Sequence, residues 1–328
     1  MNIYPQQTYE VDAGRSIGHA NPGIDRACKE IQAACAGFGT NEAKLSTVLG
    51  NKSPVERCLI HLRYPELYQK SLLSEMASET SGDYGKLLQL LSQPIEEAEA
   101  MIIRDATKGA GTTEKLLIPV LSGRSNVELN ILKKAFYKIF QKDLVVAVND
   151  DLSGDLKTFY LAALNQMAQP YNPSIHTPAK AAEIAEAIYK AGEGKWGTDE
   201  SAFSNAICSI PPQFLATVDA AYAAKHKHGL VHAIQSEFGG KAEDGLVYHV
   251  NIILRPIETI VEQIESTMSG IGTDEYGLSA AIVRYQHLLP QVKQAYQAKY
   301  RTTLRQRVEG ETSGDYRALL LTILDHAI

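Results

Sequence analysis

The sequence predicts an all-α protein built from four internal repeats. Three observations support this fold class. A Gly-Thr-x-Glu motif occurs four times, an acidic residue follows each motif at a nearly constant distance, and the segments between them carry apolar residues at helical spacing. No segment shows the sustained alternation of apolar and polar residues that is typical of strands. We therefore expect helices throughout and no sheet.

The first repeated element is a glycine-rich loop that ends in Gly-Thr-x-Glu. The glycines of these four motifs stand 72, 86 and 75 residues apart, at Gly39, Gly111, Gly197 and Gly272. The longer middle step predicts an insert of about a dozen residues between the second and third repeats. A stretch rich in Pro and Asn, residues 169–174, lies there and is typical of a linker.

The second repeated element is an acidic residue that stands three positions before a glycine. These acids are Glu79, Asp151, Glu237 and Glu311, and they follow the motif glycines by 40, 40, 40 and 39 residues. Four pairs at nearly one spacing are very unlikely by chance. The spacing therefore indicates that each loop and its acid belong to one site.

The segments before the loops have the pattern of amphipathic helices. Apolar residues before the first loop follow the steps i, i+3, i+4, i+7 and i+11, and those before the fourth loop follow the same steps. Cys28 and Cys35 lie on the first of these faces, so we expect them to pack in the core. The Thr after each motif glycine is expected to cap the next helix. The negative charge of the Glu two residues later is stabilising near the positive N-terminus of that helix.

Composition excludes several classes of protein. The chain of 328 residues is 45% hydrophobic and 21% charged, an ordinary globular balance. It has no apolar run long enough for a transmembrane helix, and its first twenty residues lack the apolar region of a secretory signal. A net charge of −6 argues against a nucleic-acid partner. The four cysteines form no CxxC pair, so neither disulfides nor a thiolate zinc site is expected, and a reducing cytosol suits them.

The repeated residues suit a hard cation. Glycine loops can present backbone carbonyls, and a carboxylate from elsewhere can complete an oxygen shell for Ca²⁺, which takes about 6–8 ligands. With one carboxylate per site the affinity should be weak, ~10⁻⁵–10⁻³ M, and positions stay open for a lipid phosphate. Four such sites would gain from avidity. Four Ca²⁺ would also change the net charge from −6 to about +2, which favours an anionic membrane.

The loops, their spaced acids and the longer link between the second and third repeats resemble the annexin family over residues 20–328. The resemblance implies a slightly curved all-α disc of four repeats of about five helices each, with calcium loops on its convex face. We expect a tail at 1–19, repeats at 20–92, 93–165, 179–254 and 255–328, and a linker at 166–178.

The resemblance also implies the calcium ligands. In the first repeat they are the carbonyls of Cys35, Gly37 and Gly39 with the carboxylate of Glu79, and in the second those of Thr107, Gly109 and Gly111 with Asp151. The third loop is a variant in which Gly192, Lys195 and Gly197 join Glu237, and the fourth joins Met268, Gly270 and Gly272 to Glu311. The third acid is followed by Phe238-Gly239-Gly240, where the other repeats keep a Ser before the Gly, and the fourth spacing is one residue shorter, so we rank the first two sites highest.

Two further features allow alternatives. Trp196, the only tryptophan, lies in the third loop and is expected to contact lipid, the alternative being a ring packed against its own repeat. His226, His228 and His232 form a cluster without a matched carboxylate motif nearby. A solvated, weakly basic loop is therefore favoured over a transition-metal or catalytic role.

The sequence predicts a non-enzymatic, calcium-dependent protein that binds anionic phospholipid membranes. We expect a cytoplasmic monomer that becomes peripheral to membranes when calcium binds, with lateral assembly on the membrane left open. Two alternatives remain: a structural role with a cytoskeletal filament as partner, and a calcium-permeable assembly at the membrane. An enzyme is not expected, because no nucleophile–base pair or haem-ligand set is recognisable.

Overall fold

The computed structural model describes residues 21–37, 39–109, 111–165 and 168–327. Over these ranges the chain forms twenty α-helices, one 3₁₀ turn (Gln286–Leu288) and no strand, which confirms the all-α fold class. The predicted tail, residues 1–19, and residues 166–167 of the predicted linker lie outside the described residues. The helices are α1 (Pro22–Cys35), α2 (Glu42–Gly50), α3 (Pro54–Tyr68), α4 (Leu72–Glu79), α5 (Gly82–Leu91), α6 (Ile95–Ala106), α7 (Glu114–Leu121), α8 (Asn126–Phe140), α9 (Leu144–Asp151), α10 (Gly154–Asn165), α11 (Pro178–Ala191), α12 (Glu200–Cys208), α13 (Pro212–His226), α14 (Leu230–Glu237), α15 (Gly240–Leu254), α16 (Pro256–Met268), α17 (Glu275–Arg284), α18 (Leu289–Tyr300), α19 (Leu304–Glu311) and α20 (Gly314–His326).

The helices fall into four sets of five with matching lengths and ends. In every set the fourth helix has eight residues, starts with Leu and stops at the acid that the spacing singled out: α4, α9, α14 and α19. The starting leucines are fully buried and anchor these short helices. The repeat pattern of the sequence is therefore a repeat of five-helix units.

A left-handed residue ends the third helix of every set. Gln69, Gln141, Lys227 and Arg301 have φ angles of 57°, 50°, 75° and 60°. Each of these residues donates its backbone N–H to the carbonyl four residues earlier and turns the chain toward the short fourth helix. This tight turn fixes where the acid-bearing helix starts.

Backbone contacts divide the described chain into two compact units. The first unit runs from residue 102 to 259, and within it α10 packs against α12 and α15, and α7 packs against α15. Its core contains Phe159, Tyr160 and Phe203, all fully buried.

The second unit combines the described residues before 102 with those after 259. Within it α5 packs against α17, and α2 packs against α20. Arg284 and Glu99 form a buried ion pair there, with Nε 2.7 Å from Oε1. Among the described residues, no helix is both long and apolar enough to cross a membrane.

Candidate functional site

Every glycine-rich loop leaves the first helix of its set and is closed by the same backbone hydrogen bond. The N–H of Asn41 donates to the carbonyl of Ala34 at 2.8 Å. The equivalent bonds run from Thr113 to Ala106, from Asp199 to Ala191 and from Asp274 to Thr267, at 2.8, 2.7 and 2.7 Å. The four loops therefore share one closure although their sequences differ.

The loop glycines adopt backbone conformations that other residues rarely take. Gly37 and Gly39 have φ angles of 107° and 88°, and the corresponding glycines of the second and fourth loops lie between 84° and 109°. An added Cβ would meet no atom within 4 Å at any of these positions, so the backbone angle rather than space requires glycine. The result is a run of exposed, bare peptide groups of the kind that can offer carbonyl ligands.

A threonine hydroxyl ties each loop to the acid about 39 residues later. Thr40 Oγ1 donates to the backbone carbonyl of Glu79 at 2.9 Å. Equivalent bonds join Thr112 to Asp151 (3.2 Å), Thr198 to Glu237 (3.5 Å) and Thr273 to Glu311 (3.2 Å). In the last three repeats the same hydroxyl also donates to the acid's carboxylate. The structure thus brings together the loop and the acid that the sequence predicted to share a site.

The prediction that these threonines cap the next helix is wrong. The N-cap is the following residue, and Asn41, Asp199 and Asp274 accept a backbone N–H with their side chains. A hydroxyl that already donates to the acid's carbonyl is directed toward the fourth helix instead of the next one. The glutamates two residues after the threonines do begin the second helices, as expected.

In the first two loops, the predicted ligand residues lie at the end of the first helix of the set and in the exposed loop that follows it. Cys35 ends α1, Thr107 follows α6, and the four loop glycines are exposed. Burial, together with the nearby charges of Glu75 and Glu79, raises the pKa of the Cys35 thiol to about 12. The thiol therefore stays neutral and offers no thiolate ligand, so the backbone carbonyl is the group through which Cys35 would bind a cation.

The third loop differs in that its first predicted ligand residue is buried against the acid of the same repeat. Gly192 caps the end of α11, is buried, and accepts a hydrogen bond from the Lys195 N–H at 3.1 Å. A Cβ added to Gly192 would lie 2.9 Å from Cγ of Glu237, which brings this loop position against its acid. A carbonyl has two lone pairs, so the Gly192 oxygen keeps one for a cation. Lys195 and Gly197 are exposed.

In the fourth loop a positively charged side chain of the protein contacts the predicted calcium ligands. The Arg307 guanidinium donates to the carboxylate of Glu311 and to the backbone carbonyl of Met268, both of which are predicted calcium ligands. Arg307 also pairs with Glu265 at 3.3 Å. The position four residues before the acid is Glu75, Ala147 and Ala233 in the other repeats. The oxygen donors of the first three loops therefore fit a hard cation, whereas in the fourth loop two of them already contact a guanidinium.

Two apolar side chains stand fully in solvent at the same position of two loops. Trp196 and Ile271 each occupy the position before the motif glycine, and both are essentially completely exposed, at 104% and 110%. Trp196 does not pack against its own repeat. Their counterparts Phe38 and Ala110 lie outside the described residues.

The histidine cluster differs from the expected solvated loop. Nε2 of His228 lies 3.4 Å from Oε1 of Glu193, and the ring centroids of His228 and His232 are 4.1 Å apart. His226 instead stacks on Tyr189, with the centroids 3.9 Å apart. The expectation that no carboxylate accompanies these histidines is therefore wrong, because Glu193 reaches them from the third loop.

Comparison with known proteins decides the family. The annexin family model matches residues 26–91, 98–163, 183–248 and 260–323, which is most of the chain. The chain belongs to the annexin family. This finding confirms the resemblance that the loops and spaced acids carried.

Individual relatives agree with the family model. This annexin is 35% identical to annexin A7 of Dictyostelium discoideum over 297 residues, which are 90% of this chain and 63% of that protein. It is 34% identical to human annexin A13 over 303 residues, which are 92% and 95% of the two chains. The solved structure of annexin III superposes with a TM-score of 0.86 at 28% identity, covering 94% of this chain and 95% of that one. The chain thus spans less than two thirds of the length of the annexin A7 relative.

Sequence reasoning missed three features of these sites. The threonine hydroxyls were assigned to capping, because their partner stands 39 residues away in the sequence. Arg307 was overlooked, although a basic residue four positions before an acid on a helix is a recognisable ion-pair signal. Ile271 was overlooked because Ile alone does not mark an exposed loop position, whereas its alignment with Trp196 would have done so.

Proposed function

We propose that this annexin binds anionic phospholipid membranes in a calcium-dependent way. The observation that carries the proposal is the threonine bond that holds each glycine loop against its acid in all four repeats. The bond supports the proposal because it joins a glycine-rich loop, which can offer carbonyl oxygens, to the residue whose carboxylate would complete the site. This is the donor set that Ca²⁺ takes.

The proposed ligands are those that the annexin resemblance implies. In the first three loops they are the backbone carbonyls of Cys35, Gly37 and Gly39, of Thr107, Gly109 and Gly111, and of Gly192, Lys195 and Gly197, with the carboxylates of Glu79, Asp151 and Glu237. For the fourth loop we propose Met268, Gly270, Gly272 and Glu311, with Arg307 as a competitor for two of them. Bound calcium would supply positive charge to which a lipid phosphate oxygen can bind. Because Arg307 competes for two of its donors, we infer that the fourth loop binds calcium most weakly of the four.

Charge makes the interaction conditional on calcium. The net charge of −6 repels an anionic surface. Three divalent ions would bring the net charge to about zero, and four to about +2. Because exposed charges are screened within about 8–10 Å at physiological salt, the effect acts close to the membrane.

Exposed apolar side chains add a second contribution. Trp196 and Ile271 stand next to proposed calcium ligands with nothing of their own repeats covering them. An amphipathic indole is favoured at the membrane interface, and an isoleucine gains from leaving water. We propose that both side chains enter the interface once calcium binds.

Lys241 adds a polar contact near the second loop. Gly111, Asp151 and Lys241 line one surface depression, and the Lys241 amino group pairs with Glu114 at its side. Lys241 is largely exposed. Its charge suits a phosphate that approaches the second site, so we propose it as a headgroup contact.

The proposal places the protein in the cytoplasm as a monomer that moves to membranes with calcium and carries out no catalysis. Lateral assembly on the membrane, a filament partner and a calcium-permeable assembly remain secondary candidates. The exposed, uncovered loop side chains favour a membrane over a filament partner.

Co-sedimentation with vesicles tests the function. The protein is mixed with phosphatidylserine–phosphatidylcholine vesicles or with phosphatidylcholine vesicles across a calcium series and with a chelator. We expect it to pellet only with calcium and anionic lipid. If it stays in the supernatant at millimolar calcium, membrane binding is wrong, and sedimentation with actin filaments or microtubules becomes the next test.

A further inference from the structure

Three metal-binding side chains converge beside the third loop. Glu193 comes from the segment after α11, His228 precedes α14, and His232 lies in its first turn. One ligand atom from each side chain lies within 4.8 Å of the other two. We propose that Glu193, His228 and His232 form a binding site for a transition metal ion, for which Zn²⁺ is the best fit.

The spacing of the donor atoms suits zinc. Bonds of about 2.0–2.1 Å around a tetrahedral ion place neighbouring ligand atoms about 3.3 Å apart. The Glu193 Oε1 to His228 Nε2 distance is 3.4 Å. Two imidazoles and one carboxylate leave the fourth position of a tetrahedral ion for water. Nitrogen donors also distinguish this site from the all-oxygen loops proposed for calcium.

Further side chains orient the three donors. The hydroxyl of Tyr222 donates to Oε2 of Glu193 at 2.6 Å, and the other carboxylate oxygen, Oε1, faces His228. His228 Nδ1 lies 3.4 Å from the Gly229 carbonyl, and Ser236 Oγ lies 3.4 Å from His232 Nδ1. With Nδ1 of each ring engaged in this way, Nε2 is the nitrogen left for a metal. Such outer hydrogen bonds are typical of protein metal sites.

The remaining histidine of the cluster has a different role. His226 is held between the rings of Tyr189 and Tyr222, at centroid distances of 3.9 and 4.7 Å. It therefore serves as a packing residue and does not join the three donors. The simpler alternative is that Glu193 and His228 form only an ion pair, and that alternative requires neither His232 nor a metal.

The site is close to the third calcium loop but shares no donor with it. Glu193 is adjacent in sequence to Gly192, whereas the proposed calcium ligands there are carbonyls of the loop and the carboxylate of Glu237. Zinc binding therefore should not require Glu237, and the two proposals can fail separately.

Metal titration of the stripped protein tests the proposal. Zn²⁺ binding is measured by calorimetry in the presence of excess Ca²⁺, and Co²⁺ is used as a coloured probe, since tetrahedral Co²⁺ absorbs visible light far more strongly than octahedral Co²⁺. The variants are His228→Gln, His232→Gln and Glu193→Gln, with Tyr222→Phe for the orienting hydrogen bond. His326→Gln, an exposed histidine in α20, is the matched control, and Glu237→Gln tests independence from the calcium loop.

We expect one tight site per chain with a tetrahedral Co²⁺ spectrum. Each donor variant should weaken zinc binding by at least about tenfold, and Tyr222→Phe by about tenfold, the range seen for outer-shell partners. His326→Gln and Glu237→Gln should bind as the wild type does. Equal zinc affinity in the wild type and the His228→Gln and His232→Gln variants, or an octahedral Co²⁺ spectrum, would overturn the assignment.

Discussion

Arg307 donates a hydrogen bond from its guanidinium to the carboxylate of Glu311, one helical turn further along α19. The same guanidinium donates to the Met268 carbonyl at the end of α16. A side chain that carries a permanent positive charge thereby contacts two oxygens that we propose as calcium ligands. The fourth loop thus differs from the first two in its electrostatics, although it keeps both of their glycines and an acid at the equivalent position.

Removing this guanidinium should strengthen calcium binding at the fourth loop. The background is a Glu79→Gln, Asp151→Asn, Glu237→Gln variant, in which only the fourth carboxylate remains. Adding Arg307→Gln should raise its calcium affinity about tenfold, equivalent to ~1.4 kcal/mol, because a charged hydrogen-bond partner no longer competes for Glu311. Calorimetry measures the change.

Arg305→Gln provides the matched control for Arg307. Arg305 lies on the same helix but pairs with Glu309 and Asp325, away from the loop. This substitution should leave calcium affinity within about twofold, because it removes only exposed ion pairs. An equal gain from both substitutions would mean that overall charge, and not the contact with Glu311, controls the fourth loop.

The threonine bond should support calcium binding as well as stability. Thr40→Val keeps the shape of the side chain but removes the hydroxyl that donates to the Glu79 carbonyl. We expect a loss of about 1 kcal/mol in unfolding free energy and, with only the first carboxylate intact, a fall of about fivefold in calcium affinity. Thr47→Val, which removes a hydroxyl bonded within α2, is the control. A stability loss with unchanged calcium affinity would limit the bond to a structural role.

The exposed loop side chains should contribute to membrane affinity. Trp196→Ala and Ile271→Ala should each raise the lipid concentration needed for half-maximal binding, by up to about tenfold for Trp196, since each loses apolar area that leaves water at the interface. Ile175→Ala, at an exposed apolar residue outside the loops, should have little effect. Because Trp196 is the only tryptophan, its emission should shift to shorter wavelength with calcium and anionic vesicles together. An unchanged spectrum on bound vesicles would contradict insertion.

The first unit should lose stability in acid through His249. Burial lowers the pKa of His249 to about 4, and its Nδ1 accepts a hydrogen bond from the Gly123 N–H at 3.2 Å, so the folded state keeps the ring neutral. The unfolded chain binds the proton near pH 6.5, so the stability contributed by the neutral ring is complete above that value and falls as the pH drops toward 4. At pH 5 the loss should be about 2 kcal/mol.

Urea unfolding at pH 7.5 and pH 5 measures this contribution. The His249→Gln variant cannot titrate in this range and keeps an acceptor for Gly123. Its unfolding free energy should therefore fall less than that of the wild type between the two pH values. An equal fall in both proteins would assign the acid sensitivity to other groups.

Sequence alone predicted the features that repeat locally. The positions of Glu79, Asp151, Glu237 and Glu311 follow from spacing, and the helices follow from apolar period, because both signals lie within short segments that recur four times. The left-handed ends at Gln69 and Lys227 were not predictable in this way, since neither residue type marks a helix end.

The contacts that distinguish one repeat from another could not be predicted. Thr40 meets Glu79, and Glu193 meets His228, only after several helices have folded, so no local pattern connects them. Arg307 and Glu311 are close enough in sequence to suggest an ion pair, but the further contact with the Met268 carbonyl depends on how α16 and α19 meet. Such contacts between distant segments determine which loops of a repeat protein keep their oxygen donors available for a cation.

Vesicle co-sedimentation of a four-carboxylate variant tests the central claim most directly. The variant carries Glu79→Gln, Asp151→Asn, Glu237→Gln and Glu311→Gln. Its control carries the same four changes at exposed acids paired with surface bases: Glu66→Gln, Asp150→Asn, Glu183→Gln and Glu309→Gln. Both variants therefore have the same net charge and the same kinds of substitution.

The account predicts that wild type and control pellet with phosphatidylserine vesicles in calcium, while the four-carboxylate variant stays in the supernatant. If the four-carboxylate variant pelleted at the same calcium concentration as its control, these carboxylates would not be the ligands that couple calcium to the membrane.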